Sequence, residues 1–314
     1  MKVSVLMVTY NHENFIAQAI DSALMQKVNF EYEIVIGEDC STDHTRDIVI
    51  GYQQRYPDTI RLLLPERNSG GHKNFVQTYK ACQGEYIALL DGDDYWTSPH
   101  KLQKQVDFLD SHPECAICFH SVKVICDDCS QGPGIFPPVR QKEIYTLKDL
   151  LVENFIPTCS TMFRNGLFGE FPDWFYVLPM GDWALLILNA QYGSIGYINE
   201  VMGAYRFHSG GVWSMTGDIR KSQGFLEFYK VMNPYFNFRY DRIIRAAKYF
   251  HYHKIAKANG DGLGAFVNLL KCITTSPFNP AVSYRKLLIN MLEFFPPVYN
   301  LLKAWKSKHG STCS

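Results

Sequence analysis

Residues Asp91-Gly92-Asp93-Asp94 place three carboxylates within four positions, directly after the apolar run Tyr86 to Leu90. A short run of this kind is the pattern of a strand buried on both faces. Such a strand delivers the acids at its end to the carboxyl edge of a sheet, where open α/β folds bind ligands. Asp91, Asp93 and Asp94 repel one another, and a divalent cation relieves that repulsion. Hard cations prefer carboxylate oxygen, and Mg2+ or Mn2+ commonly joins a few carboxylates to substrate phosphates. An acidic loop that caps a helix is the plainer alternative.

The elements that must hold these acids can be read from periodicity. Met1 to Thr9 reads as a first strand, and Ile16, Ala19, Ile20, Ala23 and Leu24 fall at helical spacing. Tyr32 to Gly37 is a second buried strand, with Ser41 or Thr42 as cap of a helix towards Tyr56. Arg61 to Leu64 reads as a strand, Lys73 to Gln83 as a helix, and Tyr86 to Asp91 as the fourth strand. Ser98 and Pro99 then start a helix over Lys101 to Leu109. Repeated strand-helix-strand units imply an α/β fold with a mainly parallel, doubly wound sheet. Residues 126–145 read as a long loop, Thr158 to Phe163 and Val201 to Phe207 as strands, and Asp182 to Tyr192 as a helix. A helical pattern from about Phe236 suggests two domains, 1–235 and 236–314.

At 314 residues, 46% apolar and 20% charged, the chain has ordinary globular composition and is not disordered. Its formal net charge is zero, but Arg239 to the end carries 12 Lys and Arg against 3 Asp and Glu. The body is therefore acidic and the tail basic. No nucleic-acid partner is expected. The first residues lack a signal-peptide cleavage pattern, so a cytoplasmic protein with nine reduced cysteines is expected. The pairs Cys115-x-x-Cys118 and Cys126-x-x-Cys129 are separated by seven residues, against roughly 15–20 in zinc ribbons, and buried thiols are the favoured reading.

Six segments together resemble inverting family-two glycosyltransferases of the GT-A fold, over about Val3 to Ser214. Val8-Thr9-Tyr10-Asn11 is similar to the loop bordering the nucleotide. Glu38-Asp39-Cys40-Ser41-Thr42-Asp43 resembles Asp-Asp-Gly-Ser-Thr-Asp with Cys40 in place of glycine. Asn68-Ser69-Gly70-Gly71 is similar to the loop before the third helix, and Asp91-Gly92-Asp93 to the metal-binding Asp-x-Asp. Met180-Gly181-Asp182-Trp183 resembles the acceptor-side motif with Gly181 in place of Glu, and Tyr205-Arg206-Phe207-His208 the late Arg-x-His segment.

The resemblance implies a Rossmann-like sheet with a helical C-terminal extension, and transfer of a sugar from a nucleotide sugar to a saccharide or lipid-linked saccharide. It implies donor contacts from Thr9, Tyr10, Asn11, Glu13, Asp39, Asn68, Lys73, Asp91, Gly92 and Arg206. It also implies Mn2+ or Mg2+ at Asp93 and His208, and Asp182 as the general base. An aspartate at Asp39 can accept the imide hydrogen of uracil, which cytosine lacks, so UDP is favoured. Trp174, Trp183 and Trp213 suit either sugar stacking or the core. Two alternatives stand beside this: a haloacid-dehalogenase-type phosphatase, which also carries Asp-x-Asp after a strand, and a non-catalytic nucleotide-sugar or carbohydrate-binding module. The tail, with Tyr249, Phe250, Phe266, Phe294, Phe295 and Trp305 among its basic residues, suits either a peripheral contact with an anionic membrane or a helical cap.

Overall fold

The computed structural model describes residues 1–126, 134–137, 142–208, 210–211 and 216–276. The chain divides into two compact units, residues 1–150 with 154–215, and residues 151–153 with Thr216 onward. The helical unit therefore begins at Thr216, ahead of the boundary at 236 expected from the sequence.

The first unit runs β1 (Val3–Thr9), α1 (Ile16–Leu24), β2 (Tyr32–Glu38), α2 (Thr45–Arg55), β3 (Ile60–Leu63), α3 (Gly71–Ala81), β4 (Tyr86–Leu89), β5 (Tyr95–Trp96), α4 (Lys101–Ser111) and β6 (Cys115–Cys126). It continues with β7 (Gly134–Phe136), β8 (Ile144–Tyr145), α5 (Leu147–Leu150), β9 (Met162–Arg164), α6 (Gly181–Ala190) and β10 (Ser194–Phe207). The apolar runs read as two-face-buried strands are buried throughout: Val3, Val5 to Met7, Ile34 to Ile36 and Tyr86 to Leu90 all lie in the core. Ile16, Ala19, Ile20 and Ala23 form the inward stripe of α1 against the same core.

The described strands form one sheet in the order β3-β2-β1-β4-β9-β6-β10-β5, with β7 also paired to β6 and β8 to β10. The half from β3 to β4 is parallel, as the strand-helix alternation requires. Beyond β4 the sheet is mixed: β9 runs antiparallel to both β4 and β6, β10 parallel to β6, and β5 antiparallel to β10. From β1 the chain adds β2 and β3 on one side and then returns to add β4 on the other, the reversal at whose carboxyl ends open α/β sheets form a ligand crevice.

Several local expectations are corrected. The segment 126–145 carries β7 and β8, while residues 127–133 and 138–141 lie outside the described set. Thr158 to Ser160 is a 3-10 turn and only Met162 to Arg164 is strand. At the start of α2 the capping acceptor is Asp43, whose Oδ1 takes the Thr45 N–H at 2.9 Å, in place of Ser41 or Thr42.

The second unit contains α7 (Asp218–Tyr235), α8 (Asp241–Ala258) and α9 (Gly262–Thr275). Ala246, Leu269 and Cys272 form its small core, flanked by Tyr249, Phe250 and Ile273. Asp261 caps α9 by accepting the Gly264 N–H at 2.8 Å. Two of the tail's basic residues are engaged within this unit: Arg242 donates to the Thr275 carbonyl at 2.6 Å, and Arg245 pairs with Asp241 at 3.0 Å. Phe294, Phe295 and Trp305 lie outside the described residues. No helix among the described residues is long and apolar enough to cross a membrane.

Candidate active site

The end of β4 is fastened to β1 beyond the strand itself, because the N–H groups of Leu90 and Gly92 donate to the carbonyls of Leu6 and Val8, each at 3.0 Å. Gly92 is required by close approach: a Cβ there would lie 2.6 Å from Thr9 Oγ1 and 2.9 Å from His12 Nδ1. Asp94 N–H closes the turn on the Asp91 carbonyl at 3.1 Å, and Asp94 Oδ1 accepts the Arg206 backbone N–H at 2.8 Å. The guanidinium of Arg206 donates to the Asp93 carbonyl at 3.0 Å and to Gln18 Oε1 at 2.7 Å, and lies over Phe15. Arg206 thus braces the acidic turn from β10.

This bracing brings three carboxylates to one turn. Burial, followed by the charges of Asp93 and Asp182, pushes the Asp91 carboxyl up to about 8. Burial pushes Asp94 well above the carboxylate range, with Asp93 and Asp91 adding to it. For Asp93 the upward push of burial is outweighed by the hydrogen bond with His208 and by His12, and its proton affinity falls. His208 Nε2 lies 3.0 Å from Asp93 Oδ2, and His12 Nε2 lies 3.9 Å from the same oxygen. No group of three His, Cys, Asp or Glu among the described residues is arranged to hold a metal by itself. The donor set nevertheless fits a divalent cation: a carboxylate and an imidazole within contact of each other, beside carboxylates short of positive charge. Mg2+ and Mn2+ are usually held by a few protein ligands, with water and substrate phosphate completing the shell.

Asp39, at the end of β2, is 2% exposed and well satisfied. Its Oδ1 accepts from the Ser69 N–H and hydroxyl, both at 2.8 Å, and its Oδ2 from the Gly70 N–H at 2.9 Å. Asn68 donates to the Asp39 carbonyl at 2.9 Å. A carboxylate offers about four lone-pair positions, so these three bonds leave one. Cys40, where the resemblance places glycine, takes φ +59° in the region glycine favours, and Asn11 takes φ +55°. Asn11 Oδ1 accepts the Thr42 N–H at 2.8 Å, tying the ends of β1 and β2.

The other expected donor contacts differ in their surroundings. Thr9 is buried with Oγ1 3.2 Å from His12 Nδ1, and Tyr10 is exposed. Glu13 accepts the His44 N–H at 3.0 Å and so fastens the loop before α1 to the start of α2. Lys73 is exposed in the first turn of α3. Trp183 is a core residue, fully buried with its indole N–H on the Leu150 carbonyl. Trp213 lies outside the described residues.

Asp182 stands in the first turn of α6 and accepts from Asn154 Nδ2 at 3.0 Å. Burial raises its proton affinity, against the opposing effects of its hydrogen bonds and of His72. Its charge acts on Asp91 and on the phenol of Tyr205. Sequence reasoning passes over His12 and His72. The signal for His12 is its place between Thr9 and Glu13 in a segment already singled out; His72, before Lys73, has none.

The sequence profile of glycosyl transferase family 2 matches residues 4–168. The chain belongs to glycosyl transferase family 2. A protein of Mycobacterium tuberculosis is 40% identical over 221 residues, covering 70% of this chain and 63% of that protein. This family-two chain thus matches less than two thirds of that relative's length. In structure it is similar to residues 1–349 of TarS from Staphylococcus aureus, crystallised with UDP-GlcNAc (TM-score 0.62, 19% identity, 97% of this chain and 92% of that one). It is also similar to the mannosyltransferase PcManGT of Pyrobaculum calidifontis, in complex with GDP-Man and Mn2+ (TM-score 0.55, 17% identity, 99% and 88% covered). These likenesses bear out the GT-A fold, and family membership sets the phosphatase alternative aside. Six cysteines among the described residues are free, but Cys126 is disulfide-bonded, which corrects the expectation that all thiols are reduced.

Proposed function

We propose that this protein is a metal-dependent inverting glycosyltransferase that moves a sugar from a UDP-sugar to a hydroxyl of a saccharide or lipid-linked saccharide. The observation that carries the reading is the convergence at the end of β4 of Asp91, Asp93 and Asp94, with His208 Nε2 3.0 Å from Asp93 Oδ2. Asp93 and His208 would hold Mn2+ or Mg2+, which when bound supplies positive charge for the leaving diphosphate. The nucleotide-sugar complexes of TarS and PcManGT support the donor class. The remaining lone pair of Asp39 suits the imide N–H of uracil and favours UDP over other diphosphates.

Asp182 takes the acceptor hydroxyl proton while that oxygen attacks the anomeric carbon from the face opposite the diphosphate, so one displacement inverts the configuration. A carboxylate whose proton affinity is raised by burial is a stronger base for that step than one in water. Asn154 holds the carboxylate through Oδ2. Arg206 fixes the turn that carries Asp93 and Asp94.

Incubation with Mn2+, separate nucleotide sugars and sugar acceptors tests the reading. It predicts UDP release from one UDP-sugar and a product of inverted anomeric configuration by NMR. Binding without turnover of any donor would favour the non-catalytic module, and phosphate release from simple monoesters would contradict both. The basic helical unit suits contact with anionic lipid; the full chain is then expected to pellet with anionic vesicles at low salt and to be released at high salt.

A further inference from the structure

Position 181 opens α6 without a side chain, and the space a side chain would take is occupied. A Cβ on Gly181 would lie 3.1 Å from both Cδ2 and Nε2 of His72, and 3.8 Å from Cζ of Phe175. His72, in the first turn of α3, packs edge-on against Phe175 with ring centroids 5.6 Å apart. Its Nε2 is buried and has no hydrogen-bond partner. A buried polar atom left unpaired is costly, and such costs are kept where they serve a site. The residue that follows Gly181 at the start of α6 is Asp182.

We propose that His72 is a positioning residue for Asp182: its ring fills the gap left by Gly181 and its imidazole acts through that gap on the adjacent carboxylate. The inference rests on the reading of Asp182 as the base. Groups on the elements around Asp182 act on its charge. Asn154 and the backbone N–H groups at the start of α6 favour its ionised form, and so does His72 on α3. The charge of Asp182 in turn acts on Asp91 after β4 and on the phenol of Tyr205 on β10. His72 is thus the cation-forming group that favours the ionised form of Asp182. Burial lowers the basicity of His72, so it is charged only on the acidic side of its ordinary range, where Asp182 must lose its proton to act.

Carboxyl 13C NMR of aspartate-labelled protein tests this without a substrate, with the Asp182 resonance identified by its loss in Asp182→Asn. In His72→Phe, which keeps a ring of similar size and removes both nitrogens, the midpoint of Asp182 is expected to rise by about one pH unit, the low end of what a nearby opposite charge does. The acidic limb of kcat against pH is expected to move up with it, while the KM for the UDP-sugar stays the same. Gly181→Ala, which presses on the His72 ring without removing it, is expected to give a smaller shift in the same direction and covers the case in which His72→Phe fails to fold. An Asp182 midpoint that stays put in the folded variants would overturn the proposal. If Asp182→Asn retains the wild-type rate, the base assignment fails instead, whatever the His72 variants show.

Discussion

Asp39 and Asp91 leave the sheet from β2 and β4, on either side of β1, and their surroundings are opposite in kind. Asp39 is met by three hydrogen bonds from Ser69 and Gly70. Asp91 is buried beside two more carboxylates, and burial first, then the charges of Asp93 and Asp182, push it up to about 8. The first arrangement is complete within the protein and gives a rigid frame with one lone pair left for a neutral N–H. The second gathers buried carboxylates, of which Asp93 is met by imidazoles, His208 at 3.0 Å and His12 at 3.9 Å. Under the proposed function, the end with Asp39 would read the base and the end with Asp91 and Asp93 would receive a cation with a diphosphate.

The largest effect is expected at the end with Asp91 and Asp93. Asp93→Asn removes the oxygen shared by His208 and His12, and turnover should fall to background in a UDP-release assay; a variant with full activity would remove Asp93 from the metal site. Asp182→Asn should bind UDP and Mn2+ as the wild type does while losing on the order of 10²-fold or more in kcat, the usual share of a general base. Weakened UDP binding in that variant would assign Asp182 to donor binding and not to proton transfer.

The complete end should respond first in stability. Asp39→Ala leaves the Ser69 and Gly70 donors unmet, and hydrogen bonds to a charged group contribute about 1.5–3 kcal/mol each, non-additively. A loss on the order of 3 kcal/mol is expected by urea unfolding, together with at least a tenfold loss in UDP affinity if the free lone pair reads uracil, at about 1.4 kcal/mol per decade. Stability lost with UDP affinity intact would reduce Asp39 to a loop fastener.

The smallest expected effect concerns a positive charge buried in the same core. Lys101 is fully buried with no hydrogen-bond partner for Nζ, over the Trp96 ring at 3.9 Å. Burial brings its pKa down to about 7. Because the folded value lies below the unfolded one, the unfolded chain binds more protons between about 7 and 10.4, and stability rises with pH across that window. Lys101→Met removes the penalty and should stabilise the protein by about 1 kcal/mol or more below pH 7, with the gain fading towards pH 10. A gain that does not change with pH would show that Lys101 titrates alike in the folded and unfolded chain, so that burial imposes no penalty on its charge.

Much of this contrast is legible in the residues. The buried runs that form β1, β2 and β4 need only local apolarity, and the carboxylates at the ends of β2 and β4 come with them. The mixed half of the sheet is not legible in the same way. β9 is three residues long and is defined by pairing with β4 and β6, contacts distant in sequence that leave no local period. The start of α7 leaves no clear signal either, because apolar and polar residues from Asp218 to Tyr235 do not separate cleanly onto two faces and Pro234 stands in its last turn. Within the site, residue type points to Asp39 but cannot show that Ser69 and Gly70 hold it. Nor can it show that Gly181 leaves room for His72, since both depend on which loops the fold brings together.

The difference between the two ends of the crevice is measured most directly by UDP affinity with and without metal. Calorimetric titration of UDP into the wild-type protein should give binding at least tenfold tighter with Mn2+ than with a chelator, about 1.4 kcal/mol or more. The same titration with uridine, which lacks the diphosphate, should be indifferent to Mn2+. Equal UDP affinity in Mn2+ and in chelator would contradict the claim that the acidic end of β4 is completed by a cation.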